Sequence, residues 1–382
     1  MGMKVYIGKD GVAKSVKAIY VGVNGVAKCI MRPSGIYKYN ESIEPLCNGR
    51  DGLAAATVRN YALFAGGRAV DAKTGSYTPY SSVDAYNASL TRSTPTGLRD
   101  KKTHLAATTF GNYALFAGGC DDGASITYSS VDAYDSALVR SITTALSAAR
   151  YYLAAATVGN YALFAGGEKD NNYYSSINAY NTSMTRSAPT DLMKARSRLA
   201  AATFGNYALF AGGYIFSRSS HSTTYCPTVD AYNASLTRST PTGLSVARYD
   251  LAAATVGNYA LFAGGSGKKL NYSTIDVYDS TLVRSNPVNL STDRYDPVGI
   301  TINGKYALFF GGCAGRIDAD VYDIFLVRTS VAGIDNALTD TDGAIVGDYI
   351  LFAGGSYLAD NDDGSKIITV YTDKVNAYMY DL

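Results

Sequence analysis

The chain has 382 residues, 47% of them hydrophobic, and carries 34 Lys or Arg against 32 Asp or Glu, for a formal net charge of +2. That length and apolar content suffice for a large buried core, and the near-neutral balance excludes a chain built as one long charged tail. The five cysteines (Cys29, Cys47, Cys120, Cys226 and Cys313) are an odd set without Cys-x-x-Cys spacing, so thiols are expected in place of a disulfide framework or a zinc site.

Residues 1–35 hold six Lys or Arg against one Asp, leaving 28 cations and 31 anions for residues 36–382. Basic character is confined to the N-terminus, so a nucleic-acid partner, which asks for a basic stripe on a folded body, is not expected. No apolar signal region follows Met1-Gly2-Met3-Lys4, and no apolar run is long enough to span a bilayer. A protein made without Sec export and without membrane insertion is expected.

The same segment writes one pattern twice at an offset of 14 residues, Lys4-Val5-Tyr6-Ile7-Gly8-Lys9-Asp10-Gly11-Val12-Ala13-Lys14 and then Ala18-Ile19-Tyr20-Val21-Gly22-Val23-Asn24-Gly25-Val26-Ala27-Lys28. Asp10-Gly11 and Asn24-Gly25 suit type I′ turns, which predicts two β-hairpins. Such hairpins are marginal alone and need something to pack on. This tandem Tyr-Ile/Val-Gly segment resembles the short N-terminal repeats of phage and prophage tail-region proteins of Gram-positive bacteria. The resemblance implies that residues 1–35 are an attachment segment for a tail or baseplate protein, and a location in a virion or in the cytoplasm of the producing bacterium. A β-extension without a partner is the competing reading.

From residue 36 onward one unit recurs. Gly-Gly pairs end at Gly67, Gly119, Gly167, Gly213, Gly265, Gly312 and Gly355, a period near 50 residues. Each unit runs from a Leu-Ala-Ala-Ala-Thr-like stretch through Tyr-Ala-Leu-Phe-Ala-Gly-Gly to a Val-Asp-Ala-Tyr-like run such as Val83 to Tyr86, and six of the seven continue to a Leu-Thr-Arg-Ser-like run such as Leu90 to Ser93. Four short strands per unit, with no helical periodicity, predict an all-β fold. The Gly-Gly doublet, the Tyr of Asp-Ala-Tyr and the Arg before the first strand resemble those of kelch-repeat β-propellers. The resemblance covers residues 36–382 and implies a seven-bladed kelch-like propeller with four-stranded blades. The chain has no Trp, whereas the kelch pattern carries one on the fourth strand, so blade contacts are expected to use Tyr, Leu and Arg stems.

The last unit stops at its third-strand motif, Val375-Asn376-Ala377-Tyr378. Residues 36–46 stand where every other unit has a fourth strand, and are expected to pair with residues 372–380 and close the ring.

In a four-stranded meander the 2–3 and 4–1 connections share one face. That face is where the repeats differ, with loops such as Arg68 to Tyr80 and Tyr214 to Cys226 rich in Tyr, Ser, Asn and charged residues. Such a palette on a rigid scaffold suits recognition. Candidate ligand-binding residues are Tyr151, Tyr173, Tyr174, Tyr214, Arg218, His221, Tyr249, Tyr272 and Tyr295. Arg50, Lys102, Arg150, Arg196, Arg248 and Arg294 align before the inner strand of six blades, with Leu338 in the seventh. As a crown at the channel mouth they favour an acidic saccharide or carboxylate; the competing reading makes them ties between blades. The repeated Asp84, Asp132, Asp230, Asp276 and Asp320, and Arg92, Arg140, Arg186, Arg238, Arg284 and Arg328, read as scaffold.

Parts for an enzyme are sparse. His104 and His221 fall in different blades, no nucleophile-elbow pattern is present, and Asp boxes ending in Trp are missing. Asp121 with Asp122, or Asp340 with Asp342, are the carboxylate pairs left to consider. Asp360-Asn361-Asp362-Asp363-Gly364 lacks the spacing and final Glu of a calcium loop. The expectation is a non-catalytic binding protein without metal or cofactor, recognising a bacterial surface glycan or protein receptor. An intracellular interaction scaffold and a carbohydrate-active enzyme are the alternatives.

Overall fold

The computed structural model describes residues 6–9, 12–15, 19–23, 26–31, 35–39, 42–70, 74–121, 125–268, 270–312, 318–331, 338–360 and 367–381. Among these residues the regular elements are all strands, and seven four-stranded antiparallel sheets form a seven-bladed β-propeller. In blade 3 the inner strand Ala154–Val158 pairs with Tyr161–Ala165, which pairs with Ile177–Asn181, which pairs with Arg186–Ser187. The inner strands of blades 1, 2, 4, 5, 6 and 7 are Ala54–Val58, Ala106–Phe110, Ala200–Phe204, Ala252–Val256, Val298–Ile302 and Asp342–Val346.

The repeat sequence explains the layers. Inner strands alternate buried and half-buried residues, because successive side chains point to opposite faces of the blade. Ala and Gly line the channel where seven strands converge, as at Ala55, Ala107, Ala253 and Gly299. The second strand lies between two neighbouring blades, so after its Tyr every residue is buried. It therefore reads as an unbroken apolar run.

Three ties hold each blade to the next. The third-strand tyrosines Tyr86, Tyr134, Tyr180, Tyr232, Tyr278 and Tyr322 are wholly buried. They pack edge-on to Phe64, Phe116, Phe164, Phe210, Phe262 and Phe309. Their hydroxyls donate to carbonyls of Glu44, Thr96, Thr144, Thr190, Thr242 and Val288 at 2.7–2.9 Å. A buried Leu near each acceptor, such as Leu98 or Leu146, adds apolar contact. Outer-strand arginines also cross: Arg140 and Arg328 donate to the carbonyls of Gly97 and Asn289. In a chain without Trp, Tyr, Leu and Arg thus make these contacts between blades.

The Gly-Gly pairs supply the third tie. The N–H of Gly67, Gly119, Gly167, Gly213, Gly265, Gly312 and Gly355 donates to the carbonyl of Lys102, Arg150, Arg196, Arg248, Arg294, Leu338 and Arg50, at 2.8–3.1 Å. The glycine before it must have a left-handed φ and no side chain: at Gly66, with φ 70°, a Cβ would stand 2.6 Å from the Lys102 carbonyl oxygen.

The ring closes as the sequence predicts. Blade 7 consists of Asp342–Val346, Tyr349–Ala353, Val375–Asp381 and the strand Gly35–Lys38. Gly35 faces Asp381 and Lys38 faces Tyr378. The pairing is extended where the N–H of Tyr39 donates to Ala377 and that of Leu46 to Asp373. In the N-terminal segment Tyr6–Lys9 pairs with Val12–Ser15, and Ile19–Val23 with Val26–Met31. The expected turns Asp10-Gly11 and Asn24-Gly25 lie outside the described residues, as do Cys313 and most of the Asp360 to Gly364 stretch. Cys47, Cys120 and Cys226 form no disulfide.

Candidate binding site at the channel mouth

The aligned cations do not form a crown open to solvent. Arg50, Lys102, Arg150, Arg196, Arg248 and Arg294 are all 0% exposed. Five of them turn into their own blade to meet a wholly buried third-strand aspartate: Arg50 with Asp84 at 2.7 Å, Lys102 with Asp132 at 3.1 Å, Arg196 with Asp230 at 3.0 Å, Arg248 with Asp276 at 2.7 Å and Arg294 with Asp320 at 3.3 Å. A charge in so apolar a blade is retained only when paired and hydrogen-bonded. Blade 3 has Asn178 at the aspartate position, so Arg150 relies on the hydroxyl and carbonyl of Ser176. Burial without an adjacent carboxylate pulls the Arg150 guanidinium down to about 10. Blade 7 lacks both partners, having Leu338 and Asn376. These six residues have no surface with which to meet a ligand, and the acidic-ligand expectation built on them loses its basis.

The channel mouth belongs to the residues two positions later: Gly52, His104, Tyr152, Arg198, Asp250, Asp296 and Asp340. Each has a left-handed φ, between 47° and 59°. Around the ring, each backbone N–H donates to the carbonyl of its counterpart one blade back: Gly52 to Asp340, His104 to Gly52, Tyr152 to His104, Arg198 to Tyr152, Asp250 to Arg198 and Asp296 to Asp250, at 2.9–3.1 Å. The left-handed conformation costs a non-glycine residue on the order of 1–2 kcal/mol, and such strain tends to collect at ligand sites.

The side chains of this circlet differ around the ring. The His104 and Tyr152 rings are 4.3 Å apart, the Arg198 guanidinium lies 3.7 Å from the centre of the Tyr152 ring, and Arg198 Nη1 is 2.9 Å from Asp250 Oδ2. Asp296 and Asp340 complete the arc, with the Asp340 charge adding to the rise of Asp296. These residues, with the Ala and Gly layer beneath, line a cavity of about 430 Å³.

The electrostatics follow from poor hydration inside this well. Desolvation, then the nearby Arg68 and Arg198, holds His104 well below its ordinary value, so the imidazole is neutral. Asp250 rises to about 6 by desolvation, against the pull of Arg198. Asp296 is pushed well above the carboxylate range by desolvation and then by Asp340 and Asp250. Deeper in, Asp342 accepts from the N–H groups of Ala55 and Gly343, and desolvation raises it to about 6. Asp51 also rises to about 6, by desolvation and then by Asp340, although Arg68 lies 3.4 Å away.

An aromatic wall stands over blades 3 to 5. Tyr151 packs on Tyr152 at 5.0 Å, Tyr173 on Tyr214 at 5.8 Å, Tyr214 on Tyr249 at 5.0 Å, and Tyr225 stacks on Tyr249 at 5.7 Å with an interplanar angle of 9°. Buried Glu168 accepts from the Tyr214 hydroxyl at 3.4 Å. The wall is built on the hairpins that follow Gly-Gly, Glu168–Lys169 with Asn172–Tyr173 and Tyr214–Ser217 with Ser222–Tyr225. Bridges from Tyr151 to Glu168 and from Ser197 to Tyr214 join these hairpins to the 4–1 connections. Both loop sets share one face, as expected.

Of the predicted residues, Tyr151, Tyr173, Tyr214 and Tyr249 come together in this wall. Tyr174 lies instead over the buried Arg150 guanidinium, at 5.8 Å. Arg218 and His221 are exposed near the tip of the blade 4 hairpin, and Arg218 reaches the Asn171 amide of blade 3. Tyr272 and Tyr295 sit around blades 5 and 6, each bridged or hydrogen-bonded to the Gly-Gly or Arg connections. Sequence reasoning missed Tyr152, Arg198, Asp250, Asp296, Arg68 and Tyr225, and weighed His104 and Asp340 only as enzyme parts. The available signal was the second of the two variable positions that follow the repeated cation. Among the described residues no three His, Cys, Asp or Glu side chains are grouped to hold a metal ion.

Fold and site define a β-propeller with a cleft-bearing face. No protein-family model matches the chain, and no curated protein matches it.

Proposed function

We infer that the protein is a binding protein that holds a saccharide between the tyrosine wall and the channel mouth. The observation that carries this reading is the pair of ring groups on one face, Tyr151 with Tyr152 and Tyr173, Tyr214, Tyr249 and Tyr225, of which Tyr152 lines a cavity that also holds carboxyl, imidazole and guanidinium groups. Flat aromatic faces stack on the apolar side of sugar rings while polar side chains take the hydroxyls; tyrosine does both at low entropic cost.

The kelch-like pattern and the tail-like N-terminal repeats support a receptor-binding module of a phage tail, with a bacterial surface glycan as its target. Polarity fits that role. Gly35 pairs with Asp381, next to the Tyr380 N–H that donates to Asp348 in the 1–2 turn of blade 7. The closing strand therefore starts, at Gly35, on the face opposite the tyrosine wall. A screen of the full chain against glycans and whole bacteria tests the reading: saccharide binding that falls at least about tenfold in Tyr214→Ala and Tyr249→Ala is expected. Binding indifferent to both changes, or capture of proteins only, would replace it with the scaffold alternative. The adjacent Asp250, Asp296 and Asp340 carboxyls are the observation favouring a carbohydrate-active enzyme. Glycan turnover that disappears in Asp296→Asn would establish that second reading.

A further inference from the structure

The turns between the third and fourth strands are built alike in blades 1 to 6. In each, a side-chain oxygen of an Asn or Asp accepts the N–H groups two and four residues later. Asn87 so holds Ser89 and Thr91 at 2.9 and 3.0 Å, and Asp323 holds Phe325 and Val327 at 2.9 Å. The two residues after the Asn or Asp are small or polar in five blades, as in Ala88-Ser89 and Ser280-Thr281, but are Ile324-Phe325 in blade 6. Because the turn forms with the same bonds either way, the large apolar pair is not needed to build it. Phe325 is 79% exposed, and Ile324 and Val327 are exposed as well.

The departures continue at the seam with blade 5. A Cβ on Gly257, in the 1–2 turn of blade 5, would stand 3.4 Å from the Ile324 side chain. In the connection from blade 5 to blade 6, the Val288 carbonyl accepts from the Tyr322 hydroxyl. Its exposed side chain stands where four other seams have Thr96, Thr144, Thr190 and Thr242. Apolar side chains gathered at one seam, in a repeat that elsewhere keeps Ser, Thr and Ala there, mark an interaction surface.

Where the chain enters the ring points to what covers that surface. The closing strand begins at Gly35, opposite Asp381, at the same end of the blades as the 3–4 turns. Ile36, the next residue, packs on a cluster shared by Ile302 and Val321 of blade 6 and Ile350 and Tyr378 of blade 7. Only residues 32–34 separate Gly35 from the second hairpin, Ile19–Val23 with Val26–Met31, and such a link spans at most about 10 Å. Of the two blades that flank blade 7, blade 1 offers Ala88, Ser89 and Thr91, whereas blade 6 offers Ile324, Phe325 and Val327. A two-stranded hairpin needs an apolar surface to persist in water. This one has Ile19, Val21, Val23, Val26, Ile30 and Met31 in its strands.

We propose that the second hairpin, residues 19–31, docks on the apolar surface that Ile324, Phe325, Val327 and Val288 form at the seam of blades 5 and 6. The proposal does not depend on any ligand of the opposite face. It refines the attachment role of residues 1–35: the second hairpin fixes the segment to the propeller, and the first, Tyr6–Lys9 with Val12–Ser15, is left to meet a partner.

The test is hydrogen exchange of the full-length chain read by mass spectrometry, with sedimentation at several concentrations alongside. Ile324→Ser combined with Phe325→Thr copies the blade 5 turn, and unchanged exchange in the blade strands confirms its fold. The amides of residues 19–31 are expected to exchange at least about tenfold faster in this variant than in the parent, with both proteins monomeric. In the parent alone, residues 19–31 should exchange at least about tenfold more slowly than residues 6–15, the same repeat without a dock, which decides the matter even if the variant melts early. Equal exchange in the two hairpins of the parent, or protection of residues 19–31 that survives the double substitution, overturns the proposal. A concentration-dependent dimer that the substitution abolishes would assign the surface to a second copy of the chain and overturn it as well.

Discussion

Arg196 and Arg198 are separated by one residue in blade 4, and each meets an aspartate at nearly the same distance, 3.0 Å to Asp230 and 2.9 Å to Asp250. Their settings differ. Arg196 and Asp230 are wholly buried, whereas Arg198 and Asp250 are 28% and 16% exposed at the channel. The first pair recurs with little change in four other blades; the second position is Gly, His, Tyr or Asp elsewhere. In a repeat protein, a charge that recurs is a component of the blade, and a charge that varies is free to serve a ligand.

Removing one cation at a time separates the two settings. Arg196→Leu leaves the Asp230 carboxylate buried with only the Met193 N–H and the distant Arg238 for company, and is expected to cost about 3–5 kcal/mol in denaturant unfolding. Arg198→Leu, at a half-buried pair whose aspartate is already raised to about 6 and can take up a proton when left alone, is expected to cost less, about 1–2 kcal/mol. Equal losses at the two sites would erase the distinction.

Asn178→Asp in blade 3 sharpens it from the other direction. Asn178 Oδ1 already accepts from the Ser147 N–H and from Arg186. The substitution supplies Arg150 with the second carboxylate oxygen that Asp230 offers Arg196. A gain of about 1–2 kcal/mol is expected, because a charge-assisted bond replaces neutral ones to a buried guanidinium. No gain in the melting or unfolding midpoint would mean that Ser176 already satisfies Arg150.

The smallest expected effect concerns pH. Asp342 has its folded value raised to about 6 from an ordinary value of 3.8, so the folded state binds the extra proton between those limits. Its contribution to stability is present below about pH 4, falls as pH rises through about 6, and stays lost above that. Asp342→Asn should therefore gain relative to the parent between pH 4 and 7, by about 1–2 kcal/mol. Paired unfolding curves at the two pH values check it, and a constant difference would show that the channel is well hydrated.

The fold was largely legible, because the features that build it are repeated. Seven Gly-Gly pairs marked the blades, the missing fourth strand after Tyr378 pointed to residues 36–46, and the absence of Trp directed attention to the tyrosines that do bridge the blades. The site was legible in part. The loop face and four of its tyrosines were readable as departures from the repeat. The ring at the channel mouth was not, since within Arg-x-x-Leu attention fell on the constant Arg. A side chain's direction there depends on a left-handed residue two places later, and for His104, Tyr152 and Arg198 that conformation has no mark in the sequence. Asn178 in place of aspartate was a readable exception that explains the isolated Arg150.

The seam of blade 7 joins Gly35–Lys38 to Val375–Asp381, strands whose synthesis is separated by that of the six other blades. On the ribosome, blades 1 to 6 can be completed in order as they emerge, since domains and repeats fold as units. The closing strand has to wait, with its unpaired edge exposed, until residues 375–381 have left the exit tunnel. During that interval the flank of blade 1, including Leu46 and Leu53, which the seventh blade covers in the finished ring, is open to water and to other nascent chains. Chaperone demand and misassembly in this protein should therefore be concentrated at one joint, until residues 375–381 have been made.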